Sequence, residues 1–203
     1  TLLGASLSNR RAIGVDLSAR YIEAYQQASN ELGLPCQKTV EADSLRLVSD
    51  PLAMKELLEG DEISLIAIDP PYGDMMNRTK TGEAAKKKLD TSPTPFTNSE
   101  ADLGNVPLSD FYPMFKKSVA DAMVHLRQRG HIVVFTKDIQ PHGMATNLLH
   151  ARIIEDLNDI EGLQYLGTKI WADHSVNLYP YGYPYSFVAN QTHQYILIFR
   201  KVS

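Results

Sequence analysis

The sequence predicts an α/β fold with a doubly wound sheet. Short β-rich runs alternate with segments of helical periodicity along most of the chain, and no internal repeat interrupts this order. Strands that alternate with helices favour right-handed crossovers and a mostly parallel sheet. Ligands of such sheets bind at the carboxyl ends of the strands. These ends are therefore where we look for functional residues.

Size and composition indicate one compact domain. The chain has 203 residues and 43% hydrophobic content, enough to bury one sizeable core. Its longest apolar runs, residues 63–68 and 131–135, are too short to cross a membrane, and no signal-peptide layout is visible. We therefore expect a soluble cytoplasmic protein. The single cysteine, Cys36, excludes an intrachain disulfide and a thiolate metal site, and we expect it to be buried.

The elements follow from periodicity and boundary residues. Ser18 is a plausible cap for a helix that closes at Gly33, while Ser109 and Gly130 bracket a second, longer helix. The predicted helices cover residues 18–32, 51–58, 109–129 and 144–157, and residues 1–7 resemble the body of a further helix. The predicted strands cover residues 12–16, 36–42, 62–68, 131–136, 163–172 and 193–201, of which 62–68 is expected to be fully buried. Residues 70–109 and 177–191 are predicted to be loops.

Asp69, Pro70, Pro71 and Tyr72 follow the buried run at residue 68 without a break. Two successive prolines restrict the backbone and remove two N–H donors, but their carbonyls remain free to accept. The segment therefore predicts a rigid row of acceptors beside the flat ring of Tyr72. The four residues alone leave an alternative, in which Asp69 caps a proline turn and Tyr72 packs in the core.

This tetrapeptide resembles the catalytic motif of the N6-adenine and N4-cytosine amino-methyltransferases of DNA. Residues 10–18, with Tyr21 soon after, are similar to the second cofactor strand and following helix of that family, and residues 41–44 to its adenine-recognition segment. Residues 108–135 and 190–201 resemble the helix and strand after the catalytic loop and the terminal strand. The resemblance covers nearly the whole chain. It implies one Rossmann-like methyltransferase domain with an antiparallel C-terminal strand, a cofactor half at 1–61 and a catalytic half at 62–203.

The resemblance also implies the cofactor and the residues that bind it. The cofactor is S-adenosylmethionine, with Asp16 and Leu17 at its ribose hydroxyls and Asp43 and Ser44 at its adenine. A carboxylate suits the first task because it can accept from both hydroxyls of one ribose. Asp69 completes the cofactor set, and no metal is expected. Helix capping is the alternative for Asp16, and turn formation is the alternative for Asp43.

The implied reaction is methyl transfer to an exocyclic amino group of a base that is flipped out of the DNA helix. Such an amino group attacks poorly because its lone pair is delocalised into the ring. If Asp69 and the Pro70 carbonyl each accept one N–H, the lone pair can turn towards the methyl group. Adenine N6 is the preferred target, because the adenine enzymes usually begin the tetrapeptide with Asp or Asn. A site-specific adenine methyltransferase of the restriction-modification type is therefore expected.

Contacts to DNA must be local, because the formal net charge of −4 has the wrong sign for binding over the whole surface. The best basic patch lies in the loop after the tetrapeptide, and a second, aromatic loop could enclose the flipped base. The predicted nucleic-acid-binding residues are Arg78, Lys80, Lys86, Lys87, Lys88, His174, Asn177 and Tyr181, with Tyr185 beside them. A solvated lysine face and ordinary loop packing remain the alternatives.

Two departures from the family pattern stand out. The glycine-rich loop that should follow the first strand does not precede Thr1, and Gly4 lies within a helical stretch. We therefore expect further N-terminal residues to supply the first strand and that loop. No region is large enough to be a separate target-recognition domain, so further domains or subunits could supply recognition. The rival functions are N4-cytosine or RNA base methylation and a non-catalytic methyltransferase-like subunit.

Overall fold

The computed structural model describes residues 1–77, 96–142, 145–172 and 192–202. The chain divides into two compact units. The first comprises Thr1–Glu59 and Pro71–Phe111, and the second comprises Gly60–Pro70 and Tyr112–Ser203. Each unit has its own hydrogen-bonded strands.

The first unit is built on two parallel strands, β1 (Ile13–Asp16) and β2 (Lys38–Glu41), which helix α2 (Ala19–Glu31) connects. The register pairs Asp16 with Glu41, so both strands end at the same level. The other helices of this unit are α1 (Leu2–Leu7), α3 (Ser44–Ser49) and α4 (Pro51–Leu58), and short 3₁₀ helices cover Gly73–Asn77 and Leu103–Asn105.

Local sequence explains the helix boundaries in this unit. Gly33 follows α2 with a φ of 63°, a conformation that glycine adopts without strain. At α4, the Asp50 side chain accepts from the backbone N–H groups of Leu52 (2.9 Å) and Ala53 (3.1 Å), and Pro51 occupies the first turn. The predicted extents of both helices are confirmed, but the Ser18 side chain makes no capping hydrogen bond although Ser18 occupies the N-cap position of α2.

The second unit contains a four-stranded sheet in the order β3-β4-β8-β7. Its strands are β3 (Ile63–Ile68), β4 (Leu126–Thr136), β7 (Leu163–Ala172) and β8 (His193–Lys201), and β5 (Ile139–His142) and β6 (Ala145–Asn147) form a separate antiparallel hairpin. Strands β3 and β4 are parallel, whereas β8 is antiparallel to both β4 and β7. The predicted parallel arrangement with an antiparallel C-terminal strand is confirmed. The expectation of a strand before residue 1 stays a prediction.

The core of the second unit lies between one sheet face and the helices. Helix α6 (Leu149–Asn158) packs against β7 and β8 and buries side chains at every fourth position. The most deeply buried side chains include Leu149, Ile153 and Leu157 of α6, Phe115 and Val119 of α5 (Leu108–Val124), Leu126, Ile132 and Val134 of β4, Leu163 of β7, and Leu197 and Phe199 of β8. Each such aliphatic or aromatic side chain contributes about 1.5–3 kcal/mol by leaving water.

Helix α5 ends earlier than predicted, and Gly130 does not terminate it. The helix stops at Val124, and β4 starts at Leu126, which pairs with Ile63. The Lys201 ammonium donates to the carbonyls of Met123 (3.0 Å) and Leu126 (2.9 Å). A cation at the last carbonyls of a helix stabilises its C-terminus. The contact with the helix carbonyl of Met123 comes from a strand residue 78 positions further along the chain, so helical periodicity could not reveal it.

The starts of two helices also differ from the predictions. Ser109 lies inside α5, because the first turn closes on the Pro107 carbonyl, which accepts from the N–H groups of Asp110 (2.9 Å) and Phe111 (3.0 Å). Helix α6 begins at Leu149, since residues 145–147 pair with β5 instead. In both cases, backbone pairing outside the periodic segment sets the boundary.

Two predicted burials are wrong. Strand β3 is not fully buried: Leu65 is 56% exposed, because among the described residues β3 pairs with β4 alone and one of its faces is not covered. Cys36 is exposed, because it lies in the connection before β2 begins at Lys38. None of the described helices is long and apolar enough to span a membrane.

Candidate active site

The tetrapeptide begins at the carboxyl end of β3. Ile68 pairs with Val134 of the parallel strand β4, so Asp69 lies one step beyond the last paired residue. Asp69 is exposed, whereas Pro70 is buried. The acid therefore reaches solvent at the edge where parallel sheets bind ligands, and the proline behind it is held by packing.

A glycine fixes the chain after Tyr72. Gly73 has a φ of 60°, and a Cβ atom there would lie 3.1 Å from the Val106 carbonyl oxygen and 3.2 Å from Leu108 Cα. Both the left-handed conformation and the close backbone approach favour glycine. Tyr72 is partly buried, in agreement with a ring that keeps one accessible part. The conformation of Gly73 therefore restricts the position of the preceding residue, Tyr72.

The segment from residue 96 to residue 105 supports Pro71. A Cβ atom on Gly104 would lie 3.2 Å from Pro71 Cβ and 3.5 Å from the Phe96 ring. Asp102 stabilises this segment, because its carboxylate accepts from the Gly104 N–H (2.8 Å) and the Thr97 hydroxyl (2.7 Å). The second half of the tetrapeptide is thus packed against a hydrogen-bonded loop.

Phe96 also contacts Tyr21, in the first turn of α2. The ring centroids are 6.5 Å apart at an interplanar angle of 65°, and the two residues are 46% and 43% exposed. The edge-to-face geometry is a favourable aromatic arrangement. Sequence reasoning missed Phe96, because it stands in a stretch without periodicity. The only available signal was an aromatic residue within a polar, Pro-rich loop.

Asp16 ends β1 with one carboxylate oxygen engaged. Its Oδ1 accepts from the Ser18 backbone N–H at 2.8 Å, and its carbonyl accepts from the Ala42 N–H at 3.0 Å. The other carboxylate oxygen has no hydrogen-bond partner among the described residues. Asp16 therefore serves the turn before α2 and also retains an acceptor for a ligand hydroxyl. Leu17, which follows it, is partly buried.

Asp43 occupies the equivalent place after β2. Its Oδ1 accepts from the N–H groups of Leu45 (3.0 Å) and Arg46 (3.5 Å), and its Oδ2 lies 3.3 Å from Arg46 Nε. The Arg46 side chain is 89% exposed, so this ion pair is weak and does not block the carboxylate. Asp43 is the N-cap of α3, whereas the alternative interpretation expected a turn, and Ser44 is the exposed first residue of α3.

The structure brings Asp16 and Asp43 to the same edge of the β1–β2 pair, because both parallel strands end there. It places Asp69 at the corresponding edge of β3 in the second unit. The predicted nucleic-acid-binding residues lie outside the described residues; they are Arg78, Lys80, Lys86, Lys87, Lys88, His174, Asn177 and Tyr181.

No family model and no curated protein matches the sequence. Among solved structures, TrmN from Thermus thermophilus has a TM-score of 0.52 and 13% identity, with 98% of this chain and 40% of that chain covered. The N-methyltransferase NodS from Bradyrhizobium japonicum WM9 has a TM-score of 0.50 and 11% identity, with 95% and 74% covered.

A candidate DNA modification methylase, also from Thermus thermophilus, has 18% identity, with 73% of this chain and 50% of that chain covered. Its TM-score of 0.44 is too low to support a structural argument. This chain thus spans half or less of the length of the two Thermus proteins. At these identities the likeness to TrmN and NodS concerns the fold alone. The chain has the Rossmann-like α/β fold of these proteins.

Proposed function

We propose that this chain is an S-adenosylmethionine-dependent methyltransferase that acts on an exocyclic amino group of a nucleic acid base, with adenine N6 of DNA as its target. One observation carries the proposal: an exposed aspartate, followed by a buried proline, stands at the carboxyl end of a parallel strand. The fold shared with an N-methyltransferase supports it.

The acids of the first unit fit the cofactor. The second oxygen of Asp16 can accept from ribose hydroxyls while the first keeps its bond to the Ser18 N–H. The Asp43 carboxylate can accept from the adenine amino group beside its capping bonds. When bound, S-adenosylmethionine supplies an electrophilic methyl group on a sulfonium centre.

At the target, Asp69 and the Pro70 carbonyl each accept one N–H of the amino group, which turns the nitrogen lone pair out of conjugation. Bound S-adenosylmethionine would supply its methyl group to this nitrogen, and the electron pair of the broken C–S bond would remain on sulfur. The amino nitrogen loses a proton to Asp69 or to water. Tyr72 offers a stacking face, a contact worth about 1–3 kcal/mol per base.

DNA is the proposed partner, with the target base flipped out of the stack. The basic residues around Lys86 and the loop around Asn177 remain the proposed DNA contacts, and further domains or subunits could add sequence recognition. A cytoplasmic, nucleoid-associated location and a role in restriction-modification follow from this proposal.

The test is methyl transfer by the full-length protein from labelled S-adenosylmethionine to duplex DNA and to RNA of the same sequence, followed by mass analysis of the nucleosides. N6-methyl-2′-deoxyadenosine from the DNA, with no methylated nucleoside from the RNA, is the expected product. N4-methylcytosine would correct the target base, and transfer to RNA alone would overturn the choice of DNA. If the protein neither binds S-adenosylmethionine nor transfers a methyl group, the non-catalytic interpretation is correct.

The residue test compares the two ends of β3. Asp69→Ala should lower kcat at least about 100-fold, because it removes the acceptor that orients the amino group. Glu62→Ala, an exposed acid just before the same strand, should leave kcat unchanged. Thermal unfolding of both variants controls for folding. Equal activities would remove Asp69 from the mechanism.

A further inference from the structure

A cluster of polar side chains in the second unit has no part in the mechanism above. Asp138 follows β4 by two residues, and its side chain is 9% exposed. Its carboxylate oxygens lie 2.7 and 2.8 Å from His150 Nδ1, and one of them accepts from the His150 backbone N–H at 3.0 Å. Asp138 thus binds the second residue of α6 through both its backbone and its ring.

Tyr195 of β8 completes the cluster. Its ring stacks on the His150 ring, with ring centroids 3.9 Å apart and an interplanar angle of 13°. Burial and the negative charge of Asp138 raise the pKa of Tyr195, so the phenol keeps its proton. The His193 ring packs edge-to-face against the Tyr195 ring, with ring centroids 4.9 Å apart. The imidazole of His150 is therefore fixed from one face and from one nitrogen.

This arrangement assigns the His150 tautomer. A carboxylate only accepts, so the Nδ1 nitrogen between the two oxygens of Asp138 carries the proton. In the neutral form of the imidazole, the lone pair therefore lies on Nε2. Nε2 has no partner among the described residues, and the side chain is 25% exposed. His150 thus presents one oriented acceptor.

The cluster lies at the edge of the second unit's sheet where Asp69 and Pro70 follow β3. Ile68 pairs with Val134, so Pro70 stands level with Thr136, the residue of β4 that pairs with Tyr195. Thr136 is fully buried, and its hydroxyl has no hydrogen-bond partner among the described residues. Besides His150 Nε2, the Thr136 hydroxyl is therefore a second polar group at this edge without a hydrogen-bond partner among the described residues.

We propose that His150 Nε2 accepts a hydrogen bond from an N–H group of a nucleobase, as a substrate-binding residue oriented by Asp138 and Tyr195. This inference rests on the proposed function and names a base contact for the same edge of the sheet. A metal is not needed to explain the cluster, since no group of three metal-ligating side chains occurs among the described residues. A pure helix cap would need Asp138 but no stacked ring.

The kinetic test is His150→Phe, which keeps a ring on Tyr195 and removes the acceptor. The KM for DNA should rise about tenfold, as expected for one lost hydrogen bond, while the KM for S-adenosylmethionine should stay unchanged. His131→Phe, in the first half of β4, is the matched control and should change neither value. Parallel rises in both KM values, or no change in either, would overturn the proposal.

A second measurement needs neither turnover nor a variant. In ¹⁵N-labelled wild-type protein, the His150 Nε2 signal should shift when a deoxyadenylate oligonucleotide binds, but not with an abasic oligonucleotide of the same length. A shift with both would indicate phosphate contact and refute the base contact, as would no shift with either. If methyl transfer fails but the base-dependent shift occurs, the proposed reaction is wrong and the His150 contact stands.

Discussion

Asp16 in the first unit and Asp138 in the second each accept a hydrogen bond from a backbone N–H, but the two acids differ in what remains available to a ligand. Each follows or ends a strand, and each accepts a backbone N–H near the start of the next α-helix, from Ser18 and His150 respectively. Asp16 leaves one oxygen without a partner among the described residues, whereas both oxygens of Asp138 are taken by the chain itself. The first carboxylate can bind a ligand; the second can only orient a neighbour.

The difference shows why an acid at a strand end is not by itself a binding residue. A carboxylate has about four lone-pair sites, and what decides its role is how many remain after the fold has used its share. At Asp16, one oxygen accepts from the backbone and orients the side chain, while the other oxygen can still accept from a ligand. Use of both oxygens by the chain, as at Asp138, leaves the ligand-binding capacity on the partner, in this case His150 Nε2.

The largest expected effect is a loss of stability on substitution of Asp138, the acid whose two oxygens both contact His150. Asp138→Asn replaces one acceptor by a donor, so at least one of the buried donors around it loses its partner, and the free energy of unfolding should fall by about 1–3 kcal/mol. Asp16→Asn keeps an oxygen for the Ser18 N–H and should change stability by less than about 0.5 kcal/mol. Urea unfolding of both variants measures this, and equal losses would break the comparison.

An intermediate effect, on cofactor binding, is expected for Asp16 and Asp43, the acids proposed to contact the cofactor. Asp16→Asn and Asp43→Asn should each weaken S-adenosylmethionine binding about tenfold, because each loses one ligand-facing acceptor while keeping its bonds to the backbone. Asp50→Asn is the matched control, since Asp50 caps α4 with the same geometry but is assigned no ligand contact. Asn and Asp are equally good caps, so helix stability should not differ.

Isothermal titration of the three variants provides the measurement. If Asp43→Asn behaves like Asp50→Asn, Asp43 is a cap and nothing more. If all three variants bind as the wild type does, the receptive site is not at these strand ends.

The smallest expected effect sharpens the description of the Asp138 cluster. Burial, together with the negative charge and hydrogen bond of Asp138, raises the pKa of Tyr195 above its usual range. The folded state therefore holds this proton to higher pH than the unfolded state. The stabilisation is complete below about pH 10 and is lost as the pH rises through the folded-state pKa.

Ultraviolet titration of the wild type minus Tyr195→Phe isolates this phenol. A titration at or below the ordinary tyrosine range would contradict the burial and the negative charge at the Tyr195 hydroxyl, whereas the His150 tautomer rests on the contacts of its Nδ1 with Asp138 and would stand.

The sequence was sufficient for the fold class and most of the elements. The predictions for α4, β7 and β8 hold from end to end, because apolar periodicity, Asp50 and Pro51 act over a few residues. The tetrapeptide could be found for the same reason, as its prolines impose their geometry locally. Asp16 and Asp43 stood out as acids at strand ends.

Only the tertiary structure decided how the polar groups are shared among distant segments. Lys201 ends α5, Asp138 starts α6, and Phe96 meets Tyr21 from a distant loop, none of which leaves a periodic trace. Burial of β3 and Cys36 was misjudged because exposure depends on what other segments cover. Local sequence identifies which residues carry groups that could bind a ligand. Packing between distant segments determines which of those lone pairs and ring faces stay accessible to it.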